Sequence, residues 1–227
     1  MTGGWHPPMV ASMRRPDPVQ AVVFDFDGLL ADTEVPWGVA ESAMFTSRGL
    51  PYGDVERHQF LGTAVPETAR IMATYFDEPH ADVLAEVMQR ARVELARSAP
   101  AMPGAAALLR SLRGRLPFAV ASNTPRELLD LSLTGSGLAP LVDVVVAGDE
   151  VPNGKPAPDA YLRACELLGV DAGGAIAVED SRTGAAAARA AGLWVAMIPS
   201  GPSEPDDAHA FLSSLDDPAL HAWLALG

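Results

Sequence analysis

An alternation of short apolar runs with helical periodicity constrains the folding of this chain more than any other feature. Ala21–Phe26 is rich in Val and Phe, has the length of a buried strand, and stops at Asp27-Gly28. Pro117–Ser122 (PFAVAS), Val142–Gly148 (VDVVVAG), Ala175–Asp180 (AIAVED) and Trp194–Ser200 (WVAMIPS) repeat the pattern. Helical spacing lies between them over Arg126–Leu133, Ala157–Leu168 and Arg182–Ala191, the last followed by Gly192 as a stop signal. Strands that are apolar on both faces need helices above and below. The alternation therefore predicts an α/β fold, a Rossmann-like three-layer core around a parallel sheet.

Residues 27–116 separate the first two strands, an interval too long for one crossover and without a strand-like run, so it must carry structure of its own. Pro36–Arg48, Pro66–Phe76 and Ala81–Arg97 have helical patterns, and the last places Val83, Leu84, Val87, Met88 and Leu95 on one face. Residues 32–98 thus read as a small all-helical cap domain inserted into a core of residues 19–31 and 99–227, with Met102-Pro103-Gly104 marking the return. Residues 1–18 have Pro, Met and Arg without periodicity and read as a flexible leader. A last helical pattern falls around Ala219–Leu226, in a tail that also carries SEPDD.

A formal net charge of −13 repels nucleic-acid backbones and anionic membrane surfaces, which leaves small ligands as the partners to expect. Cys165 is the single cysteine and can form no internal disulfide, and no secretory signal pattern opens the chain, so a cytoplasmic location is expected. Asp, Gly or Pro breaks every apolar stretch short of the ~18 residues a membrane helix needs.

Four segments carry the chemistry. At the end of the first strand, side-chain alternation sends Asp25 and Asp27 to one side and Phe26 to the other, at the sheet edge where such folds bind ligands. A plain turn at Asp27-Gly28 is the competing reading. Ser122-Asn123 precedes Thr124-Pro125-Arg126-Glu127, which reads as a capping box with Pro at the first helical position. The Ser-Asn pair either caps that helix or turns a hydroxyl, an amide and backbone N–H groups to an anion. Lys155, between Gly154 and Pro156, is the one lysine among fifteen arginines, and a compact ammonium suits a tight phosphate site as a point charge. Glu179-Asp180 closes the fourth strand, where acids either cap a helix or join Asp25 and Asp27 in a carboxylate cluster that calls for a cation. Oxygen ligands without a Cys or His cluster point to a hard ion, and Mg²⁺ is the one expected.

In this order DFDGLLADTE, ASN, GKPAPD and VEDSRTG closely resemble the haloacid dehalogenase-like superfamily, over nearly the whole chain after residue 19. A helical insertion after the first motif is similar to the branch of phosphoglycolate phosphatases, sugar phosphatases and beta-phosphoglucomutases. The resemblance implies that Asp25 is the nucleophile, Asp27 the general acid and base, and Ser122, Asn123 and Lys155 the phosphate holders. It also implies that Asp25, the Asp27 backbone carbonyl and Asp180 bind Mg²⁺, with Glu179 supporting the ion through water. Contacts to the leaving group are expected from the cap around Glu34, Trp37, Gly62, Thr63 and Arg92.

The implied function is a Mg²⁺-dependent phosphatase of a small phosphorylated metabolite, a sugar phosphate or phosphoglycolate-like ester, working through an aspartyl-phosphate. The alternative is a phosphomutase like the beta-phosphoglucomutases, which resemble one another in a His twelve residues after the nucleophile and an Arg three residues after a cap glycine. Here those places hold Trp37 and, counting from Gly62, Val65. A strict haloacid dehalogenase has no leaving oxygen to protonate and lacks the residue that Asp27 supplies. A non-catalytic phosphate-ligand-binding module would have lost one of Asp25, Asp27, Lys155 or Asp180, and all are present.

Overall fold

The computed structural model describes residues 15–60, 62–200 and 208–224. Among these, β1 (Ala21–Phe24), β2 (Phe118–Ala121), β3 (Val145–Val146), β4 (Ala175–Glu179), β5 (Trp194–Met197) and β6 (Ala210–Phe211) form one sheet in the order β3-β2-β1-β4-β5-β6. Every neighbouring pair is parallel, with Val22 opposite Phe118 on one side and Ile176 on the other.

Period-two alternation divides the central strands between two helical layers. Val22, Phe24, Ile176 and Val178 face α5 (Ala105–Leu112), α6 (Arg126–Gly135) and α9 (Pro218–Trp223), and meet Leu108, Leu109, Leu129 and Trp223. Ala21, Val23, Ala175 and Ala177 face α7 (Asp159–Leu168) and α8 (Arg182–Ala190), where Tyr161, Ala164, Ala185 and Ala188 are buried. The expected three-layer parallel-sheet core is therefore present.

Between β1 and β2, α1 (Glu34–Ser47), α2 (Asp54–Phe60), α3 (Val65–Phe76) and α4 (His80–Arg97) bury Met44, Phe45, Phe60, Met72, Val83 and Val87 in a cluster of their own. A second, smaller cluster joins Ala91 and Leu95 of α4 to Leu128 of α6, with Trp37 and Met88 against it, and fastens the helical insert to the helical layer that covers one face of the sheet.

Several elements differ from the sequence reading. The strand expected over Val142–Gly148 is reduced to Val145–Val146, because Ala139–Leu141 and Gly148–Glu150 each form a turn of 3₁₀ helix around it. Helices α2 and α5 were not expected: α2 buries only Phe60, too little for a readable stripe, and α5 starts directly after the Gly104 turn. The two-residue β6 is too short to show periodicity. The helix expected around Ala219–Leu226 is α9, and residues 225–227 lie outside the described residues, as do residues 1–14 of the expected leader and the SEPDD stretch. No helix among the described residues is long and apolar enough to cross a membrane.

Candidate active site

The core motifs converge on the carboxyl end of the sheet. Asp25 follows β1, Ser122 follows β2, Glu179 ends β4 with Asp180 next, and Lys155 lies on the loop between β3 and α7. The chain winds outward from β1 through β2 to β3 and then crosses back to β4, so β1 and β4 flank the switch point, where such sheets open a crevice.

The centre is a buried ion cluster. Lys155 Nζ donates to Asp25 Oδ1 at 2.6 Å and to Glu179 Oε1 at 2.6 Å, with the lysine side chain 4% exposed. Carboxylate oxygens of Asp25, Glu179 and Asp180 all lie within 4.8 Å of one another. One ammonium thus faces three acids. Burial, and then the Glu179 charge, push the Asp25 carboxyl well above the usual carboxylate range, against the pull of Lys155. The same two causes lift Asp180 to about 7. Burial works against the Lys155 cation, but Asp25 and Glu179 outweigh it and hold the ammonium above its ordinary value.

This excess of negative charge suits a hard cation. The donors are all oxygen, and the backbone is shaped to come close to them: Gly28 has φ +77°, and a Cβ there would lie 2.6 Å from Asp180 Oδ2. Asp25 Oδ1 accepts from Lys155, and the Asp180 carboxylate is hydrogen-bonded by Ser200. Glu179 is more fully engaged, since Oε1 also accepts from the Tyr161 hydroxyl and Oε2 accepts from Asp180 N, Ser181 N and Ser181 Oγ at 3.2–3.4 Å. Gly184 allows this packing, because any Cβ at that position would overlap the Glu179 carboxylate.

Asp27 is held by hydroxyls. Thr33 Oγ1 donates to Oδ1 at 2.7 Å, while Ser122 Oγ and Thr124 Oγ1 donate to Oδ2 at 2.7 and 2.9 Å. The expected capping box at Thr124 is accordingly absent. Pro125 occupies the cap position of α6 without a side-chain cap bond, Thr124 turns to Asp27, and Glu127 pairs with Arg92. Asn123 bridges two segments: Oδ1 accepts from Lys155 N at 2.7 Å, and Nδ2 donates to Lys155 O and to Gly62 O. Its amide thereby fixes the lysine loop and touches the helical insert.

The insert residues divide. Glu34, the first residue of α1, places Oε1 3.5 Å from where a Gly28 Cβ would be, and its charge raises Asp180, so it faces the acidic cluster. Gly62 approaches the start of α8, where its Cβ would sit 3.6 Å from Thr183. Thr63 Oγ1 is engaged with Phe60 O and Thr68, Trp37 packs between the two hydrophobic clusters at the insert, and Arg92 makes a half-exposed ion pair with Glu127 of α6. Sequence reasoning passed over four residues that belong here: Thr33, Thr124, Tyr161 and Arg57, whose Nη2 is 3.0 Å from Glu34 Oε2. Thr33 and Thr124 stood inside motifs already singled out, and Tyr161 lies on the inner face of α7, one turn beyond the lysine loop.

Residues 19–192 match the description "haloacid dehalogenase-like hydrolase". The chain is 33% identical over 177 residues to the validoxylamine A 7'-phosphate phosphatase of Streptomyces hygroscopicus subsp. limoneus, covering 77% of this chain and 83% of that protein. It is 35% identical over 196 residues to a phosphoglycolate phosphatase of Cupriavidus necator, covering 83% and 84%. Among solved structures, CbbY from Rhodobacter sphaeroides in complex with phosphate superposes with a TM-score of 0.78 at 28% identity, over 91% of this chain and 99% of that one. With a matched family description over most of its length, relatives at this identity and the same sheet-edge motifs, the chain belongs to the haloacid dehalogenase-like hydrolases.

Proposed function

We propose that this hydrolase is a Mg²⁺-dependent phosphatase of small phosphorylated, sugar-like metabolites, acting through an aspartyl-phosphate on Asp25. The observation that carries the reading is the buried juxtaposition of Lys155 with Asp25 at 2.6 Å beside Asp180. It sets a carboxylate next to a fixed cation, in an oxygen cluster that a metal ion would neutralise. The relatives named as phosphatases support the reaction class.

In the mechanism, an Asp25 oxygen attacks phosphorus in line while the ester oxygen leaves with a proton from Asp27. Asp27 then takes a proton from the water that attacks the acyl-phosphate, which frees Asp25 and releases phosphate. Lys155 and the Ser122 region offer donors to the phosphoryl oxygens. Mg²⁺ held by Asp25, Asp180 and the Asp27 backbone carbonyl would supply the remaining positive charge on the transferring group. Both oxygens of Asp27 accept hydroxyl protons in the resting geometry, so one of these bonds must open before Asp27 faces the leaving group. Thr33, at the start of α1, ties that step to the helical insert, which we read as a cap spanning residues 32–98 that excludes water. We read Glu34 and Arg57, paired at the cluster's rim, as the insert residues that meet the leaving group.

The hydrolase reading is favoured over the phosphomutase by the insert's packing. Val65 is 5% exposed inside the insert's own core, and the half-buried Trp37 packs between hydrophobic clusters, so neither position carries the charged or imidazole group that a second phosphate would need. The test is a panel of phosphorylated metabolites with p-nitrophenyl phosphate as the generic ester. Phosphate release with Mg²⁺ that EDTA abolishes supports the reading, whereas interconversion of hexose phosphates or halide release from a haloacid would replace it.

A further inference from the structure

The ammonium of Lys155 has three N–H donors, and all three are used. They go to Asp25 Oδ1 at 2.6 Å, Glu179 Oε1 at 2.6 Å and the Tyr161 hydroxyl at 3.2 Å. The Tyr161 hydroxyl in turn donates to Glu179 Oε1, which closes a ring of Lys155, Tyr161 and Glu179. Tyr161 and Glu179 are both fully buried, and Nζ also lies 4.8 Å from the centroid of the tyrosine ring. The second oxygen of Glu179 is tied to the β4–α8 loop. Two of the three lysine bonds therefore brace each other, and the third, to Asp25, stands alone.

We propose that Tyr161 is a positioning residue for phosphoryl transfer: with Glu179 it fixes the Lys155 ammonium, so that the bond to Asp25 is the one given up to an incoming phosphoryl oxygen. The exchange follows from charge as well as geometry. Once Asp25 is esterified to phosphorus it is no longer a carboxylate, and its hold on the ammonium weakens, while the phosphoryl oxygens carry the negative charge. Glu179 keeps its charge throughout and anchors the lysine rather than contributing an oxygen to the ion. This inference rests on the phosphatase reading but can fail separately from it, because its tests read ligand binding and not turnover.

Tyr161→Phe keeps the ring face and removes the hydroxyl. Calorimetric titration of that variant with inorganic phosphate in the presence of Mg²⁺ should give a dissociation constant about tenfold weaker than wild type, the scale of one hydrogen bond to a charged group. Titration with Mg²⁺ alone should match wild type. Unchanged phosphate affinity accompanied by a lower Tm would reduce Tyr161 to a packing residue, and an equal loss of Mg²⁺ affinity would place its effect on the ion; either overturns the proposal. The wild-type protein provides a test that needs no variant. The chain has a single lysine, so ¹⁵N-lysine labelling gives one ammonium resonance. On phosphate addition its coupling to the Glu179 carboxyl carbon should persist and its coupling to that of Asp25 should vanish; the opposite pattern contradicts the assignment.

Discussion

Lys155 Nζ and Asp25 Oδ1 are 2.6 Å apart across 130 residues of sequence, in a site that leaves the lysine side chain 4% exposed. In the proposed mechanism the pair is both catalytic and structural. Lys155→Met should lower kcat/KM by about a thousandfold through lost transition-state charge stabilisation. It should also cost about 3–5 kcal/mol of stability, because Asp25 and Glu179 would remain buried without their cation. Lys155→Arg should not restore activity, since a forked guanidinium needs more room than this site has. Steady-state kinetics beside denaturant melts check both parts; a variant that is inactive yet fully stable would contradict the structural half.

Asp27 is predicted to depend on its hydroxyl partners. Thr124→Val keeps the side-chain volume and removes the 2.9 Å bond to Oδ2, and Thr33→Val removes the 2.7 Å bond to Oδ1. Each change should lower kcat roughly tenfold while KM moves little, because an acid held at the wrong angle affects the transition state more than ground-state binding. Equal kcat values in wild type and both variants would separate these threonines from the chemistry.

Arg92 and Arg57 should behave differently. Arg92 pairs with Glu127 where both side chains are about half exposed. Arg92→Ala should therefore change stability by less than about 1 kcal/mol and leave KM for any ester unchanged. Arg57 is bonded to Glu34 beside the acidic cluster, so Arg57→Ala should raise KM for a physiological sugar phosphate several-fold and leave p-nitrophenyl phosphate turnover as it was. The comparison of the two substrates is the readout.

The pH dependence of stability should show a contribution from Glu41. Burial against α1's neighbours lifts this carboxyl from 4.5 to about 7, with the Tyr52 hydroxyl bond at 2.5 Å and Arg57 pulling the other way. In the folded protein it therefore holds a proton between about pH 4.5 and 7 that the unfolded chain releases. Stability from this group is full below the lower value, falls as pH rises through the window and levels off above the upper one. Glu41→Gln mimics the protonated form and should stabilise the protein by up to about 3 kcal/mol at pH 8, with most of that gain lost at pH 5. Melts at the two pH values decide it.

The core of the site was legible because Asp25, Ser122 and Glu179 stand at strand ends, where a period of two and an abrupt polar stop mark them, and because Lys155 is the chain's one lysine. Asp25, Ser122, Lys155 and Glu179 come together as a parallel sheet requires. What was not legible depends on side-chain direction across elements. Thr124 satisfies every local rule for a helix cap, yet its hydroxyl is taken by Asp27, 97 residues earlier. Tyr161 looks like one more apolar position of an amphipathic helix, and only the packing of α7 over β1 and β2 brings its hydroxyl to Glu179 at the end of β4. Trp37 and Arg92, expected at the leaving group, pack where the insert meets α6, through contacts that no single helix encodes.

The central claim is that Asp25 carries the phosphoryl group during turnover. Acid quenching of the enzyme mixed with substrate and Mg²⁺, followed by borohydride reduction and peptide mass spectrometry, converts an acyl-phosphate into a homoserine at the esterified position. The account predicts homoserine at residue 25, dependent on substrate and absent in Asp25→Asn, which should show no turnover. Modification at another residue, or phosphate release by Asp25→Asn at the wild-type rate, would contradict it.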